Sequence, residues 1–186
     1  MIRSLSDIKR LAGEKEPKKI AVLAPEDEEF MLAVKKSWEM GYIEPVLIGN
    51  EGKIAQAAQK VSFDLAPFEK IAGGELQGIS DLGIKMLFDG TAPIAGKGQI
   101  STSYIYRSII REEARAASGM TVSVMTFWEI PGSDHLIAFT DSGVNINPDL
   151  NAKREIIKHA VFVSHLLGYL RPKIAAVSGQ REVGGH

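Results

Sequence analysis

The stretch KKIAVLAPEDEEFMLAVKKSWEMGYIEPVLIGN, residues 18–50, contains the clearest signal of the fold class. Its first seven residues, 18–24, form a short apolar run that is typical of a buried strand. From Pro25 to Gly41 a proline and acidic residues precede an apolar pattern that a glycine ends, which predicts a helix. Residues 44–50 predict a second short strand. A strand, a helix and a strand in this order predict two parallel strands joined by a right-handed crossover.

The same alternation continues to about residue 117. Patterning predicts further helices at about 51–60, 75–88 and 101–117, and strands at about 68–71 and 91–96. Beyond that point the composition changes, because residues 120–130 are rich in β-branched and aromatic side chains. The turn PGSD and the apolar run HLIAFTD follow at 131–141, which predicts a hairpin. An amphipathic helix at 147–168 and a strand at 171–178 complete the pattern.

We therefore predict an α/β fold built from two parts. Residues 1–118 form most of a three-layer α/β/α domain with a mostly parallel sheet. Residues 119–186 form part of a second, smaller α/β domain that contains the hairpin. The boundary is placed where helix–strand alternation gives way to the β-rich stretch.

The composition excludes several classes of function. The 186 residues carry 22 basic and 23 acidic side chains, so the net charge of −1 gives no electrostatic footprint for nucleic acid or an anionic membrane. No apolar run reaches the roughly 18 residues of a membrane span, and the first residues have no secretory h-region. The chain has no cysteine, and its four histidines lack a metal-ligand spacing. We expect a soluble cytoplasmic protein without a metal.

The sequence also lacks the usual nucleotide-binding motifs. The first strand–helix turn, LAPEDEE at 23–29, is acidic and has no G-x-G-x-x-G, which argues against a dinucleotide pyrophosphate there. AGKGQIST at 95–102 has the wrong glycine spacing for a P-loop. A nucleotide hydrolase is therefore a poor interpretation.

Residues 96–111 predict an anion site, most simply for a phosphate. The glycines around Gly98 precede a hydroxyl cluster that includes Ser101 and Thr102, and Arg107 lies in the following helix. A helix N-terminus offers free N–H groups and the positive end of the helix dipole. A guanidinium leaning back toward that end can bind two phosphate oxygens at once.

An alternative interpretation needs no ligand. Ser101 or Thr102 would only cap the helix, and the arginines would form a charged face in solvent. On that interpretation the basic and acidic residues of the helix pair with one another: Arg107, Arg111 and Arg115 with Glu112 and Glu113.

Two other segments place polar residues after a predicted strand. In FTDSGVNINPD, residues 139–149, Asp141 and Asn145 are in position to face a cleft. The alternative is a turn that uses these residue types for backbone reasons. Ser178 follows the last predicted strand, and the alternative there is an ordinary frayed terminus. The histidines at 135, 159 and 165 are interpreted as structural or surface residues.

Taken together, these segments resemble the phosphate acetyl/butyryltransferase family, whose members transfer an acyl group between coenzyme A and inorganic phosphate. The order and spacing of the matching segments agree over nearly the whole chain. The segments are EPVLIG (44–49), DGTAPIAGKG (89–98), Ser101-Thr102 with Arg107, FTDSGVNINP (139–148) and PKIAAVS (172–178).

The resemblance implies a function, a site and an assembly. Arg107 would lie in the active-site cleft, where it would neutralise the phosphoryl group, and Asp141 would orient groups or act as a base. The other residues implied to bind substrate or phosphate are Gly98, Ser101, Thr102, Asn145 and Ser178. No cofactor would be bound permanently, because coenzyme A is a substrate. The partners would be acyl-coenzyme A and phosphate or acyl phosphate, with neither nucleic acid nor membrane, and the assembly a homodimer.

The chain departs from the family pattern in two ways. Many members carry Asn-Ala where this chain has His159-Ala160. Members are also substantially longer, and their C-terminal part supplies a Ser-Arg element that this chain lacks. We expect a fragment or truncated form of the enzyme. The alternative is a non-catalytic module that binds phosphate or coenzyme A, and the length of the encoding reading frame would discriminate between the two.

Overall fold

The computed structural model of the protein describes residues 2–117, 119 and 121–177. These residues divide into two compact units. One unit consists of residues 9–119. The other consists of the described residues up to Ile8 together with those beyond Gly119. The domain boundary predicted between residues 118 and 119 stays a prediction.

The unit formed by residues 9–119 is built on a parallel sheet. Its strands are β1 (Lys18–Leu23), β2 (Ile43–Gly49), β3 (Lys70–Ala72) and β4 (Ile94–Lys97), and their order in the sheet is β3-β2-β1-β4. Strand β1 is central, because Ile20 pairs with Pro45 on one side and with Ile94 on the other. All three strand pairs are parallel. The predicted parallel sheet is confirmed.

Helices α2 (Glu28–Glu39), α3 (Glu51–Lys60), α4 (Leu76–Phe88) and α5 (Thr102–Ala116) connect and flank these strands. Side chains that precede the helices fix two of their starts. The Asp27 carboxylate accepts a hydrogen bond from the Phe30 N–H at 2.8 Å, and the Asn50 side chain accepts one from the Lys53 N–H at 3.0 Å. Each of these caps satisfies a backbone donor that the helix itself leaves free.

Two apolar cores lie on opposite faces of the sheet. Successive residues of β1 point to opposite faces, so Val22 joins one core while Ala21 and Leu23 join the other. The core with Val22 also contains Met31, Val34, Leu47, Ile54, Ala57, Ala58 and Phe63. The core with Leu23 also contains Ala24, Val46, Ile48, Ile79, Met86, Ala92 and Ile100. Because α2 and α3 supply the first core and α4 supplies part of the second, the sheet is the middle layer of three.

The second unit contains a two-stranded antiparallel sheet and a helix. Strands β5 (Met125–Trp128) and β6 (Ile137–Thr140) pair with Met125 opposite Thr140. The predicted hairpin is therefore confirmed. Helix α6 (Leu150–Leu166) begins after Asp149, whose carboxylate accepts from the Ala152 N–H at 2.8 Å. The N-terminus belongs to this unit, since the Ile2 N–H donates to the Leu167 carbonyl at 3.1 Å.

Two elements differ from the sequence-based expectation. Helix α1 (Leu5–Gly13) is not among the predicted helices. It begins with a reciprocal capping box, in which Ser4 and Asp7 each bind the backbone N–H of the other. A strand was predicted at 171–178, but residues 171–177, the part of it that the structure describes, have no regular structure. A strand requires a neighbouring strand to complete its hydrogen bonds, and no described segment pairs with these residues.

No helix in the described part of the chain combines the length and the apolar character that crossing a membrane requires.

Candidate functional site

The junction between β4 and α5 is held against the end of β1. The Gly98 N–H donates to the Leu23 carbonyl at 2.8 Å, and the Gln99 N–H donates to the Ala24 carbonyl at 2.9 Å. This close approach requires a glycine, because a Cβ on Gly98 would lie 2.3 Å from the Ala24 carbonyl oxygen and 2.8 Å from Cδ1 of Phe30. Gly98 therefore fixes where the start of α5 lies relative to the sheet.

Hydroxyl groups surround the N-terminus of α5. Ser101 is the N-cap residue, and its Oγ accepts from the Ser103 N–H at a long 3.4 Å. The Ser101 and Ser103 hydroxyls lie 3.0 Å apart. Thr102 is the first helical residue, and all three side chains are exposed. The capping role that the alternative interpretation assigns to Ser101 is present, and it leaves the hydroxyl cluster open to solvent.

Arg107 lies in the second turn of α5 and is exposed. Its Nη1 donates to Oε1 of Gln77 at 3.3 Å, and its Cζ lies 5.0 Å from the centroid of the Tyr104 ring. Neither partner is charged. By contrast, Arg111 forms an ion pair with Asp81, and Arg115 forms one with Glu112. Among the residues that the structure describes, Arg107 has no carboxylate partner, so its positive charge is not neutralised locally.

A polar network joins α4 to α5 beneath these arginines. Ser80 and Ser108 are fully buried, and their hydroxyls lie 2.8 Å apart. The Ser108 hydroxyl donates to Oδ1 of Asp81 at 2.7 Å, and Nε2 of Gln77 donates to both Ser108 Oγ and Asp81 Oδ1 at 3.0 Å. Nη1 of Arg111 completes the network by donating to Oδ2 of Asp81. Every buried polar atom of this interface is therefore hydrogen bonded, as the low-dielectric interior requires.

The network sets the charge state of Asp81. Burial alone would raise the pKa of this carboxyl group. Hydrogen bonds from Ser108 and Gln77 and the positive charge of Arg111 outweigh burial, and the pKa of Asp81 lies below its ordinary value. The carboxylate is ionised at neutral pH and stays paired with Arg111.

Asp141 and Asn145 form a self-contained loop in the second unit. Oδ2 of Asp141 accepts from the backbone N–H of Asn145 at 2.8 Å and from its side-chain Nδ2. Oδ1 accepts from the N–H groups of Gly143 and Val144, both at 3.2 Å, and from that of Val124 at 3.4 Å. The Asn145 Nδ2 also donates to the Val122 carbonyl at 2.9 Å. Five donors thus converge on one carboxylate.

These hydrogen bonds also shift the pKa of Asp141. Burial raises the pKa, and the hydrogen bonds from Asn145, Val144 and Gly143 lower it by more. The net result is a pKa below the ordinary value, which makes the carboxylate a weaker base. Of the other predicted site residues, Gly98, Ser101 and Thr102 lie at the start of α5, and Arg107 lies in its second turn, where its guanidinium contacts Gln77 and Tyr104. Ser178 lies outside the residues that the structure describes.

Two features were not found from the sequence. Gln77, Ser80, Asp81 and Ser108 were not singled out, although polar residues at helical spacing inside an apolar pattern are a usable signal. His159 was interpreted as structural or surface, and its Nδ1 lies 2.9 Å from the Ser123 hydroxyl.

Among the described residues, no three histidine, aspartate or glutamate side chains gather closely enough to hold a metal ion.

A parallel sheet with helices on both faces, followed along the chain by a unit with an antiparallel hairpin, defines an α/β protein. The structure superposes on a phosphotransacetylase from Streptococcus pyogenes with a TM-score of 0.72 and 18% identity, over 98% of this chain and 65% of that one. For the EutD phosphotransacetylase from Staphylococcus aureus the TM-score is 0.68 and the identity 19%, over 90% of this chain and 59% of that one. At this level of identity the likeness concerns the fold.

Relatives found by sequence are more specific. The chain is 29% identical over 177 residues to the phosphate butyryltransferase of Clostridium acetobutylicum. The match covers 95% of this chain and 59% of that protein. It is 29% identical over 163 residues to the phosphate acetyltransferase of Thermotoga maritima, and the match covers 86% of this chain and 54% of that protein. No family model matches the chain.

These relatives confirm the resemblance predicted from the motifs: the chain is homologous to the N-terminal part of phosphate acetyl- and butyryltransferases. It spans 59% of the length of the butyryltransferase from Clostridium acetobutylicum.

Proposed function

We propose that the chain is part of a phosphate acyltransferase that moves an acetyl, butyryl or similar short acyl group between coenzyme A and inorganic phosphate. The relatives named above carry this activity in their names. Within this chain the proposal rests on Arg107, because its guanidinium contacts an amide oxygen and an aromatic ring, which are both neutral. A cation of this kind is available to a phosphate, whereas Arg111 and Arg115 already neutralise carboxylates.

The reaction requires no covalent bond to the protein. The coenzyme A thiolate attacks the carbonyl carbon of the acyl phosphate, a C–S bond forms, and the bond from that carbon to the oxygen it shares with phosphorus breaks. The phosphate leaves with the electron pair of that bond. The protein must hold both substrates close, help remove the thiol proton and neutralise the phosphate.

Within this proposal the start of α5 binds the phosphate or the phosphoryl end of the acyl phosphate. Arg107 offers its planar guanidinium to two oxygens. Ser101 and Thr102 offer hydroxyls, and the helix N-terminus adds N–H groups and its dipole. Gly98 permits the close backbone approach that puts these groups at the end of β4.

Asp141 and Asn145 have a different part in the proposal. Of the two roles predicted for Asp141, its five hydrogen-bond donors and lowered pKa support orienting the loop rather than accepting a proton. Asn145 is held by the same carboxylate and would present this loop to substrate. A role for Ser178 in substrate binding stays a prediction.

The proposed partners are acyl-coenzyme A and phosphate, with coenzyme A as a substrate and no permanently bound cofactor. A cytoplasmic location also stays a prediction. We further propose a homodimer formed through the second unit, which exposes large apolar side chains. The most exposed of its aromatic residues are Trp128 at 57%, Phe139 at 54% and Phe162 at 63%. Sedimentation that shows a monodisperse monomer at micromolar concentration would contradict the dimer.

A non-catalytic module that keeps a phosphate or coenzyme A site is the second candidate. The assay that separates the two candidates measures phosphate-dependent release of coenzyme A from acetyl-, propionyl- and butyryl-coenzyme A. It is run on this chain and on the product of the complete reading frame. Release by either supports the acyltransferase, and phosphate binding without release by both supports the binding module.

A further inference from the structure

The guanidinium of Arg107 is held by neutral groups on two sides. Oε1 of Gln77 accepts from Nη1 at 3.3 Å, and the face of the Tyr104 ring lies 5.0 Å from Cζ. Gln77 is on α4 and Arg107 is on α5, so the hydrogen bond spans two helices. An exposed arginine loses rotamer entropy when it binds a ligand. Contacts that restrict the side chain beforehand reduce that cost.

Gln77 is itself fixed in one orientation. Its Nε2 donates to Oδ1 of Asp81 and to Oγ of Ser108, both at 3.0 Å. Because an amide nitrogen only donates and its oxygen only accepts, these two bonds turn Oε1 toward Arg107. Ser108 is fully buried and Asp81 is paired with Arg111, so both groups that orient the amide have partners of their own.

We propose that Gln77 is a positioning residue, which orients Arg107 toward a phosphate dianion without neutralising it. This inference rests on the proposed phosphate site. A glutamate at position 77 would have nearly the same shape but would compete with phosphate for the guanidinium. The amide therefore provides direction and leaves the full positive charge for the ligand.

The experiment titrates inorganic phosphate into the 186-residue protein and follows the Nε–H signal of Arg107 by NMR. The variants are Gln77→Glu, Gln77→Met and Arg107→Ala. Phosphate binding by Arg107→Ala is measured by calorimetry, because this variant lacks the Nε–H group that the NMR signal reports. Gln56→Glu and Gln56→Met are the matched controls, because Gln56 is an exposed glutamine on α3. The thermal midpoint of each variant is measured beside its affinity, which separates a lost orientation from a lost fold.

We expect Gln77→Glu to weaken phosphate binding about tenfold or more, since a charge-assisted pair would occupy the guanidinium. Gln77→Met should weaken it by about threefold to tenfold, which corresponds to one hydrogen bond of ordinary strength. In Gln77→Met the rotation of the Arg107 guanidinium about Nε–Cζ should become faster. Both Gln56 variants should keep the affinity and the rotation rate of the parent protein.

The outcomes separate this inference from the proposed function. If the parent protein binds phosphate and Arg107→Ala abolishes binding, while both Gln77 variants bind like the parent, Gln77 has no positioning role. The same conclusion follows if Gln77→Met lowers the thermal midpoint without changing affinity or rotation. If phosphate does not shift the Arg107 signal of the parent protein, the proposed site is wrong, and this inference falls with it.

Discussion

The start of α5 and the loop that begins at Asp141 look alike in the sequence and differ in the structure. Both follow a strand and combine glycine with polar side chains. At α5, the contacts of Arg107 with other described residues are all to neutral groups, and the hydroxyls of Ser101 and Thr102 are exposed. In the loop, the Asp141 carboxylate accepts five hydrogen bonds from its own unit. Polar residues after a strand therefore identify a loop but do not reveal whether their side chains are available to a ligand.

The largest effect on stability should come from removing the Asp141 carboxylate. Asp141→Ala leaves the N–H groups of Gly143, Val144 and Asn145 without their acceptor. We expect the second unit to lose about 2–4 kcal/mol of unfolding free energy, given roughly 1 kcal/mol for each bond. Urea denaturation and amide exchange at these three residues measure the effect.

Asp134→Ala is the control for that prediction, because Asp134 is exposed and its partner is the neighbouring His135. Unchanged amide exchange at residues 143–145 in Asp141→Ala would show that the carboxylate does not hold the loop. The contrast between the two regions would then disappear.

A smaller effect is expected from Gly98→Ala at the other region. The added Cβ would lie 2.3 Å from the Ala24 carbonyl oxygen, so the start of α5 must move. Overpacking of this kind costs about 1–3 kcal/mol, and the displaced helix should also bind phosphate more weakly. Denaturation and phosphate titration measure the two effects.

Gly78→Ala in α4 is the matched control for the glycine substitution. No atom lies within 4 Å of its added Cβ, and alanine favours a helix over glycine by up to about 1 kcal/mol. Gly78→Ala should therefore be neutral or stabilising. A Gly98→Ala protein with parental stability and phosphate affinity would contradict the role assigned to Gly98.

The smallest effect concerns the response to acid. The pKa values of Asp81 and Asp141 are lower in the folded protein than the usual aspartate value of about 3.9. A carboxyl group of this kind contributes stability that is fully present above its unfolded pKa and is lost as the pH falls through its folded pKa. Stability should therefore fall below about pH 4 in both units.

Asp81→Asn tests this in the unit formed by residues 9–119, because an amide cannot be protonated in this range. We expect its unfolding free energy to be lower at pH 7 and to change less between about pH 5 and pH 2. Asp141→Asn should do the same for the second unit. Identical pH profiles for the parent protein and Asp81→Asn would show that the α4–α5 network does not depend on this charge.

The strands and helices of the three layers could be predicted well from the sequence, because each of these elements has a local signal. The apolar run at 18–24, the Pro25–Gly41 helix pattern and the alternation of elements lead to one parallel sheet. Helix α1 was missed even though its capping box, Ser4 with Asp7, is visible in the sequence. The strand predicted at 171–178 does not form over the described residues 171–177, because a strand depends on a partner elsewhere in the chain, which a local pattern cannot supply.

The candidate site could be predicted only in part, because a local pattern does not reveal contacts between distant segments. Gly98, Ser101, Thr102 and Arg107 are close together in sequence, so a local pattern suffices to assign them to one turn and the helix that follows it. Gln77 lies 30 residues before Arg107, and only the packing of α4 against α5 brings them together. The pairing of Arg111 with Asp81 rather than with a glutamate of its own helix likewise depends on that packing.

Phosphate binding by Arg107 is best tested by the affinity for inorganic phosphate. The affinity is measured for the parent protein and for Arg107→Ala, Arg107→Lys and Arg115→Ala. Arg115 is the matched control, because it lies two helical turns further along α5 and is paired with Glu112. We expect Arg107→Ala to lose about tenfold or more, since a lost charge-assisted pair costs roughly 1.5–3 kcal/mol. Arg107→Lys should recover part of this, because an ammonium lacks the planar fork, and Arg115→Ala should bind like the parent. Equal phosphate affinity in the parent and in Arg107→Ala would contradict the account.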